Sequence, residues 1–314
     1  MMITTKAEEK KVSVLVTWDV DPSPEVPYEA RTRSLKVAMD LCHELTIRST
    51  FFITANASQV HSADLECMQT HGHQIGCHGL SHTDEEEYDK MPEAMQKAYI
   101  EEATQKLENM AGTPILAFRS PRVKISACTM KLLTHYGYLA DSSVCSQRMD
   151  LFSSNLINPG WLFSPRVPYH PHHTSAFKRG NLPIWEIPLS AVVIPFISAF
   201  LSVLGLSFMK VMFRLLYEES RRTGKPIVYT AHPVEFTSGW RKPFTLKELS
   251  PSYIRIHGLL LRKRLYRMGP ECWLNATREL FSYMASFPGV VFLPVVEYVA
   301  TTLGGETSGQ PTHT

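Results

Sequence analysis

Short runs of β-branched and aromatic residues alternate along this chain with longer stretches whose apolar positions recur every three or four residues. The short runs predict strands over residues 12–18, 49–54, 74–77, 117–120, 139–143, 183–189, 226–230 and 290–294. The longer ones predict helices over 30–45, 62–70, 92–110 and 126–136. Gly72, Gly112, Gly137 and Gly224 each fall just past a helical stretch, where a left-handed cap is wanted. Strand and helix in turn over most of the length predict a parallel α/β architecture. We expect one unit over residues 1–304, with an apolar and basic helical insertion at about 190–270, and a disordered tail over 305–314. The acidic run at 84–87 reads as the solvated start of a helix.

One stretch breaks the pattern. Residues 187–209 carry no charge and are about long enough to cross a bilayer. Pro188, Pro195 and Gly205 interrupt the stretch, and a crossing there would part the chain's later histidine from the earlier chemical groups. The expectation is therefore a strand plus a buried helix, or a helix lying in the membrane interface. Residues 253–268 mix basic and apolar side chains in the manner of an interfacial helix, or of a covering helix with a solvated basic side.

Composition narrows the picture. Thirty-two basic residues against 30 acidic give a net charge of +2, too balanced to argue for a nucleic-acid partner. Residues 1–11 are polar, with three lysines and two glutamates, and lack the apolar stretch of a secretory signal, so a cytoplasmic location is expected. The six cysteines form no C-x-x-C pair, which fits reduced thiols rather than a disulfide framework or a cysteine zinc site.

The chemistry-bearing residues gather at predicted strand ends, where α/β enzymes keep their reactive groups. Asp19 and Asp21 close the first strand, and His78 and His82 follow the third as an H-x-x-x-H pair expected on one face of a helical turn. One carboxylate and two imidazoles can hold a zinc-like ion with open positions for water and substrate, leaving a second carboxylate to take a proton. Arg119-Ser120-Pro121, Asp141-Ser142-Ser143 and His232-Pro-Val-Glu235 end later strands. On the residues alone, Asp141 either orients an imidazole or holds a turn.

This order of motifs from Val12 to Glu297 resembles the polysaccharide deacetylase family, carbohydrate esterase family four with its NodB-type homology domain. The resemblance implies a distorted (β/α)7 barrel. It further implies Asp19 as catalytic base, Asp21, His78 and His82 as metal ligands, Arg119 as the partner of the base, and His232 as the acid that protonates the leaving amine. One divalent ion is implied, zinc first, although a mixed nitrogen and oxygen site also accepts cobalt, nickel, manganese or iron. Ser120, Pro121, Arg122, Asp141, Ser142, Tyr169, Glu186 and Glu235 are expected to support the site or touch substrate. Arg122 departs from the aromatic residue common in the family at that place; it favours an anionic substrate or makes a surface salt bridge. His170, His172 and His173 cluster among prolines, and a rigid loop is expected there rather than a second metal.

The expected reaction is removal of an N-acetyl or other short acyl group from an amino-sugar glycan or glycoconjugate. Residues 226–235 are similar to the matching stretch of deformylases acting on lipid-linked amino sugars, so a lipid-linked substrate and peripheral membrane contact are also expected. The alternatives are hydrolysis of a small non-sugar amide and a catalytically silent protein that binds glycan or lipid.

Overall fold

The computed structural model describes residues 10–147, 159–237 and 268–304. The predicted tail and most of the 253–268 stretch lie outside the described residues. In chain order, the first half comprises β1 (Val12–Val20), α1 (Tyr28–Glu44), β2 (Thr50–Ile53), α2 (Ser62–Thr70), β3 (Gln74–Cys77), α3 (Glu93–Ala111), β4 (Ala117–Phe118), α4 (Ala127–His135) and β5 (Ala140–Asp141). The second half comprises α5 (Pro159–Phe163), β6 (Pro171–His172), β7 (Ser175–Arg179), β8 (Trp185–Glu186), β9 (Ala191–Val192), β10 (Ile194–Pro195), α6 (Ser198–Leu204), α7 (Leu206–Thr223), β11 (Ile227–Ala231), α8 (Pro270–Ala285), β12 (Val290–Phe292) and α9 (Val295–Thr302).

The strands pair in the order β11-β1-β2-β3-β4-β5-β8, with β12 also on β1, and every pairing in this sheet is parallel. Between β8 and β11 the seam is made by the Val228 N–H donating to Ser190 Oγ at 2.9 Å and by a single parallel bridge from Ile197 to Thr230. The sheet, eight strands with β12, curls into a distorted barrel of the (β/α)7 type, as the family resemblance implied. All four cap glycines have positive φ.

Side-chain alternation explains how the barrel fills. Leu15, Phe52, Ala117, Ala140, Ile187 and Val228 meet in one cluster, while Val14, Val16, Trp18, Phe51, Phe118 and Tyr229 belong to a second, under the helices. Period two along β1 then sends Leu15, Thr17 and Asp19 to the same inner face. Val295, Tyr298 and Val299 of α9 join the inner cluster at the other end, where the Val295 N–H donates to Thr50 Oγ1 and Arg48 grips Glu297 through two bonds of 2.5 and 2.7 Å. Thr50 opens β2, so α9 plugs the amino-terminal end of the barrel and leaves the carboxyl end for chemistry.

Two local expectations fail. His78 and His82 do not ride on a helix: the segment after β3 is a loop, with Gly79 at φ 75° and His82 at φ 55°. Residues 84–87 do not start a helix, and Glu86 and Glu87 are buried rather than solvated, the second paired with the buried Lys124. Residues 187–209 resolve into the β9–β10 hairpin, α6 and the first turn of α7. No helix among the described residues is long and apolar enough to cross a membrane.

Candidate functional site

Asp19 is the penultimate residue of β1 and Asp21 the first beyond it, so the two carboxylates reach the open end of the barrel from adjacent turns of one chain segment. Arg119, fully buried just past β4, donates from one Nη to Asp19 Oδ1 at 2.7 Å and to Thr17 Oγ1 at 2.8 Å. Its Nε donates to the Ser142 carbonyl at 2.8 Å and its other Nη to Ser142 Oγ at 2.9 Å, while the guanidinium carbon lies 4.3 Å from the Phe52 ring centre. Four hydrogen bonds and a ring face leave the planar cation one orientation, and Asp19 inherits it.

Asp21 faces three imidazoles. Its Oδ1 lies 3.4 Å from His78 Nε2 and 3.6 Å from His82 Nε2, and its Oδ2 lies 3.9 Å from His232 Nε2. The Asp21 backbone is fixed by Gln59, whose amide donates to the Asp21 carbonyl at 2.7 Å. Burial opposes the charge on Asp21, but the His82, His78 and His232 rings outweigh it and hold the carboxyl far below its ordinary range. Burial likewise opposes the charge on His78, and Asp19 and Asp21 reverse the effect, so its pKa is raised. For His82 burial prevails, helped by His78 and Arg122 against Asp21, and its pKa is lowered.

The arrangement suits a metal ion on three counts. Asp21 Oδ1 is buried and has no hydrogen-bond partner, an expensive state for a carboxylate oxygen unless an ion fills it. The spacing of 3.4 and 3.6 Å from that oxygen to the imidazoles is close to the edge of about 3.3 Å in a tetrahedron with ligands near 2.0–2.1 Å. His78 Nδ1 is 2.7 Å from the Arg119 carbonyl, which fixes the proton on Nδ1 and turns a bare Nε2 inward. Asp21, His78 and His82 are the three residues whose donor atoms gather within 4.8 Å of one another among the described residues.

The loop carrying both histidines is shaped by Glu86. Its carboxylate, wholly buried, accepts the backbone N–H groups of Leu80, Ser81 and His82 at 2.7, 2.7 and 2.6 Å, the Ser81 hydroxyl at 3.0 Å and the Tyr88 hydroxyl at 3.0 Å. A side chain at Gly79 would collide with Glu86 Oε1 and Pro121, so glycine is required both for φ and for space. Glu86→Gln replaces an acceptor oxygen with a second donor facing these N–H groups. We expect metal affinity to fall 10- to 100-fold, read by competition with a chromogenic chelator, with the fold retained.

His232 follows β11. Glu235, three residues on, takes a hydrogen bond from the Ser198 hydroxyl at 2.7 Å and lies 3.3 Å from His232 Nδ1. Burial works against a charge on His232; the bond to Glu235 and the charges of Asp21, Glu235 and Asp19 outweigh it and push its pKa up to about 9. The ring is therefore an imidazolium at neutral pH, able to donate a proton.

The remaining predicted residues form a supporting layer. The Ser120 N–H donates to Ser143 Oγ at 2.8 Å, and Pro121 packs against Gly79. Arg122 binds Asp84 at 2.9 Å and the Thr83 carbonyl at 3.0 Å, the salt-bridge alternative of the two expected for it. Asp141 holds its own turn by accepting the Ser143 hydroxyl at 2.7 Å and amide at 3.1 Å, as one of its two readings supposed. Glu186, fully buried beside Asp141, accepts the Val144 N–H at 2.9 Å; burial, then the charge of Asp141, raises its pKa. Tyr169 is buried and donates its hydroxyl to the Ala176 carbonyl at 2.6 Å. His170 stacks on Trp185, and His172 and His173 lie side by side with ring centres 4.1 Å apart. Thr17, Glu86 and Ser198 had no place in the expected site. Thr17, two residues before Asp19, was open to discovery from strand alternation alone.

Residues 6–140 match the family model described as polysaccharide deacetylase. No curated protein matches the chain. Among solved structures, a Mycobacterium smegmatis protein assigned as a polysaccharide deacetylase superposes with TM-score 0.62 at 17% identity, covering 97% of this chain and 96% of its own. A Pseudomonas aeruginosa PAO1 protein with the same assignment gives 0.59 at 15% identity, covering 93% and 92%. Puue allantoinase gives 0.58 at 16% identity, covering 93% and 91%. At these identities the likeness speaks for the fold alone.

Proposed function

We propose that the protein is a metal-dependent hydrolase that removes an N-acetyl or similar short acyl group from an amino-sugar glycan or glycoconjugate, a reading supported by the match of residues 6–140, with both aspartates, both loop histidines and Arg119, to the polysaccharide deacetylase family model. The observation that carries this reading is the buried, unpartnered Asp21 Oδ1 between His78 and His82, with Asp19 and His232 also bearing on the same imidazoles and carboxylate.

Asp21, His78 and His82 would hold one divalent ion, zinc before cobalt, nickel, manganese or iron, and when bound it would supply Lewis-acid polarisation of the acyl oxygen. Asp19, oriented by Arg119, takes a proton from the attacking water as it adds to the amide carbon. His232, held by Glu235, delivers a proton to the nitrogen as the C–N bond breaks, so carboxylate and free amine leave. Both charged partners of the proton transfers are fixed before substrate arrives, which lowers the reorganisation needed at the transition state.

The finer proposal is a lipid-linked amino-sugar substrate met on the cytoplasmic side of a membrane, which rests on the likeness of residues 226–235 to lipid-linked amino-sugar deformylases. Metal-loaded protein is to be incubated with N-acetylated lipid-linked sugars, chito-oligosaccharides and allantoin. Acetate release from the lipid-linked sugars is expected. Release from the soluble oligosaccharide alone defeats the lipid-linked version, and hydrolysis of allantoin alone replaces the sugar with a small cyclic amide, the reading that Puue allantoinase lends to this fold.

A further inference from the structure

Seven of the nine large hydrophobic side chains exposed among the described residues fall between positions 162 and 215, in the segment that carries α5 to α7. Phe208, Val211 and Leu215 follow one another at spacings of three and four, a stripe along the outer face of α7, and the exposed Leu204 ends α6 just before it. Val211 and Leu215 are 58% and 55% exposed, whereas Met209, Met212, Phe213 and Leu216 on the opposite face are buried. A further exposed group, Val193, tips the β9–β10 hairpin, and α7 packs against β9 of that hairpin. Scattered exposed leucines need no explanation, but an ordered stripe on a convex face does.

Its position in the fold is informative. β11 runs parallel to β1, and α7 precedes it by a short turn, so α7 starts at the carboxyl end of the strands, where the site lies. α6 begins with Ser198, whose hydroxyl holds Glu235 and through it His232. Phe208, Val211 and Leu215 occupy the part of α7 nearer the site, and its carboxyl-terminal part presents Glu218, Arg221 and Arg222. Arg214 sits on the border, and neither it nor Arg222 has an ion pair among the described residues. No described helix is long and apolar enough to cross a bilayer, so the stripe suits a surface on which α7 lies flat.

We propose that this α6–α7 face docks on an anionic lipid surface, with Phe208, Val211 and Leu215 entering the headgroup region and Arg214 meeting lipid phosphates. An apolar stripe bordered by Arg214 and Arg222, neither of them ion-paired among the described residues, complements an anionic bilayer interface even with Glu218 beside Arg221, and it brings the site's rim to the lipid. This deepens the lipid-linked reading above by naming the contact surface, yet docking needs no turnover, so the two can fail separately.

The test is flotation of the full-length, metal-loaded protein with vesicles of phosphatidylcholine alone or mixed with phosphatidylglycerol. Wild type is expected to float with the mixed vesicles and weakly with the neutral ones. The double variant Phe208→Ser with Val211→Ser should bind the mixed vesicles at least about tenfold less, and Arg214→Glu about tenfold less. All three positions are surface-exposed, so melting temperature and turnover of any soluble substrate should stay as in wild type. Wild-type protein that does not float, or variants that float equally well, would overturn the docking surface. So would a wild-type dimer that the double variant turns into a monomer, because a second copy would then be the occupant. Flotation that depends on the stripe, in a protein inert on every sugar, would keep the surface and remove the deacetylase reading.

Discussion

Asp19→Asn is expected to keep its metal and its fold while kcat falls by about a thousandfold, the scale of a lost general base. The substitution preserves shape, and the amide oxygen can still accept the 2.7 Å bond from Arg119. It removes the capacity to take a proton, and it removes the charge that faces a fully buried guanidinium. Breaking a buried ion pair by changing one partner typically costs about 3 kcal/mol or more. Here the loss should be at the low end, because Arg119 keeps Thr17, the Ser142 carbonyl and hydroxyl, and the Phe52 face. Acetate release at saturating metal gives kcat, elemental analysis gives metal content, and a thermal melt gives stability. A variant with full metal and undiminished kcat would remove Asp19 from the chemistry. A variant that lost metal would instead move Asp19 among the ligands.

The sequence carries the barrel and the reacting groups in different ways. Strand positions were legible because fully buried parallel strands are apolar throughout: β1, whose residues are nearly all buried, reads as Val-Ser-Val-Leu-Val-Thr-Trp. Strands of two residues, such as β5 and β8, were placed from their flanks, and their predicted ranges ran long. The convergence of the two carboxylates and two imidazoles was legible through spacing, since Asp19 and Asp21 differ by two and His78 and His82 by four. The loop that realises the second spacing was not. An i, i+4 pair looks helical, yet the same proximity is reached here by two left-handed residues, and the force holding them is the carboxylate of Glu86. In a run of four acidic residues nothing local marks one member as buried, because the donors that bind it lie at Leu80 to His82 and become a cradle only once the turn has formed. The lowered pKa of Glu87, where Lys124 and Lys90 overcome the effect of burial, has the same origin: its partner lies 37 positions along the chain. The Ser198 contact to Glu235 was hidden for a similar reason, being made by a residue from a stretch read for its apolarity.

His78→Ala is expected to abolish metal binding and activity together. Its ring is the most enclosed of the three imidazoles, and its Nδ1 bond to the Arg119 carbonyl ties the ligand directly to the residue that orients the base. Without it, Asp21 and His82 alone face the ion, and neither is fixed by a comparable second contact from its ring or carboxylate. The measurement is thermal. For wild type, adding divalent metal at about a thousand times Kd should stabilise the fold by about 4 kcal/mol, since the ion binds the native state and the unfolded chain offers no preformed site. The variant should show no upward shift over the same titration. His172→Ala, in the histidine-rich hairpin where His172 is held by Thr174, should shift as wild type does. Metal-dependent stabilisation that survives His78→Ala but vanishes with His172→Ala would move the metal to the hairpin and leave the constellation around Asp21 an ordinary buried ion network. Loss with His78→Ala alone ties ion, ligand loop and catalytic pair to one end of the barrel, because the carbonyl that fixes His78 and the guanidinium that fixes Asp19 belong to the same residue.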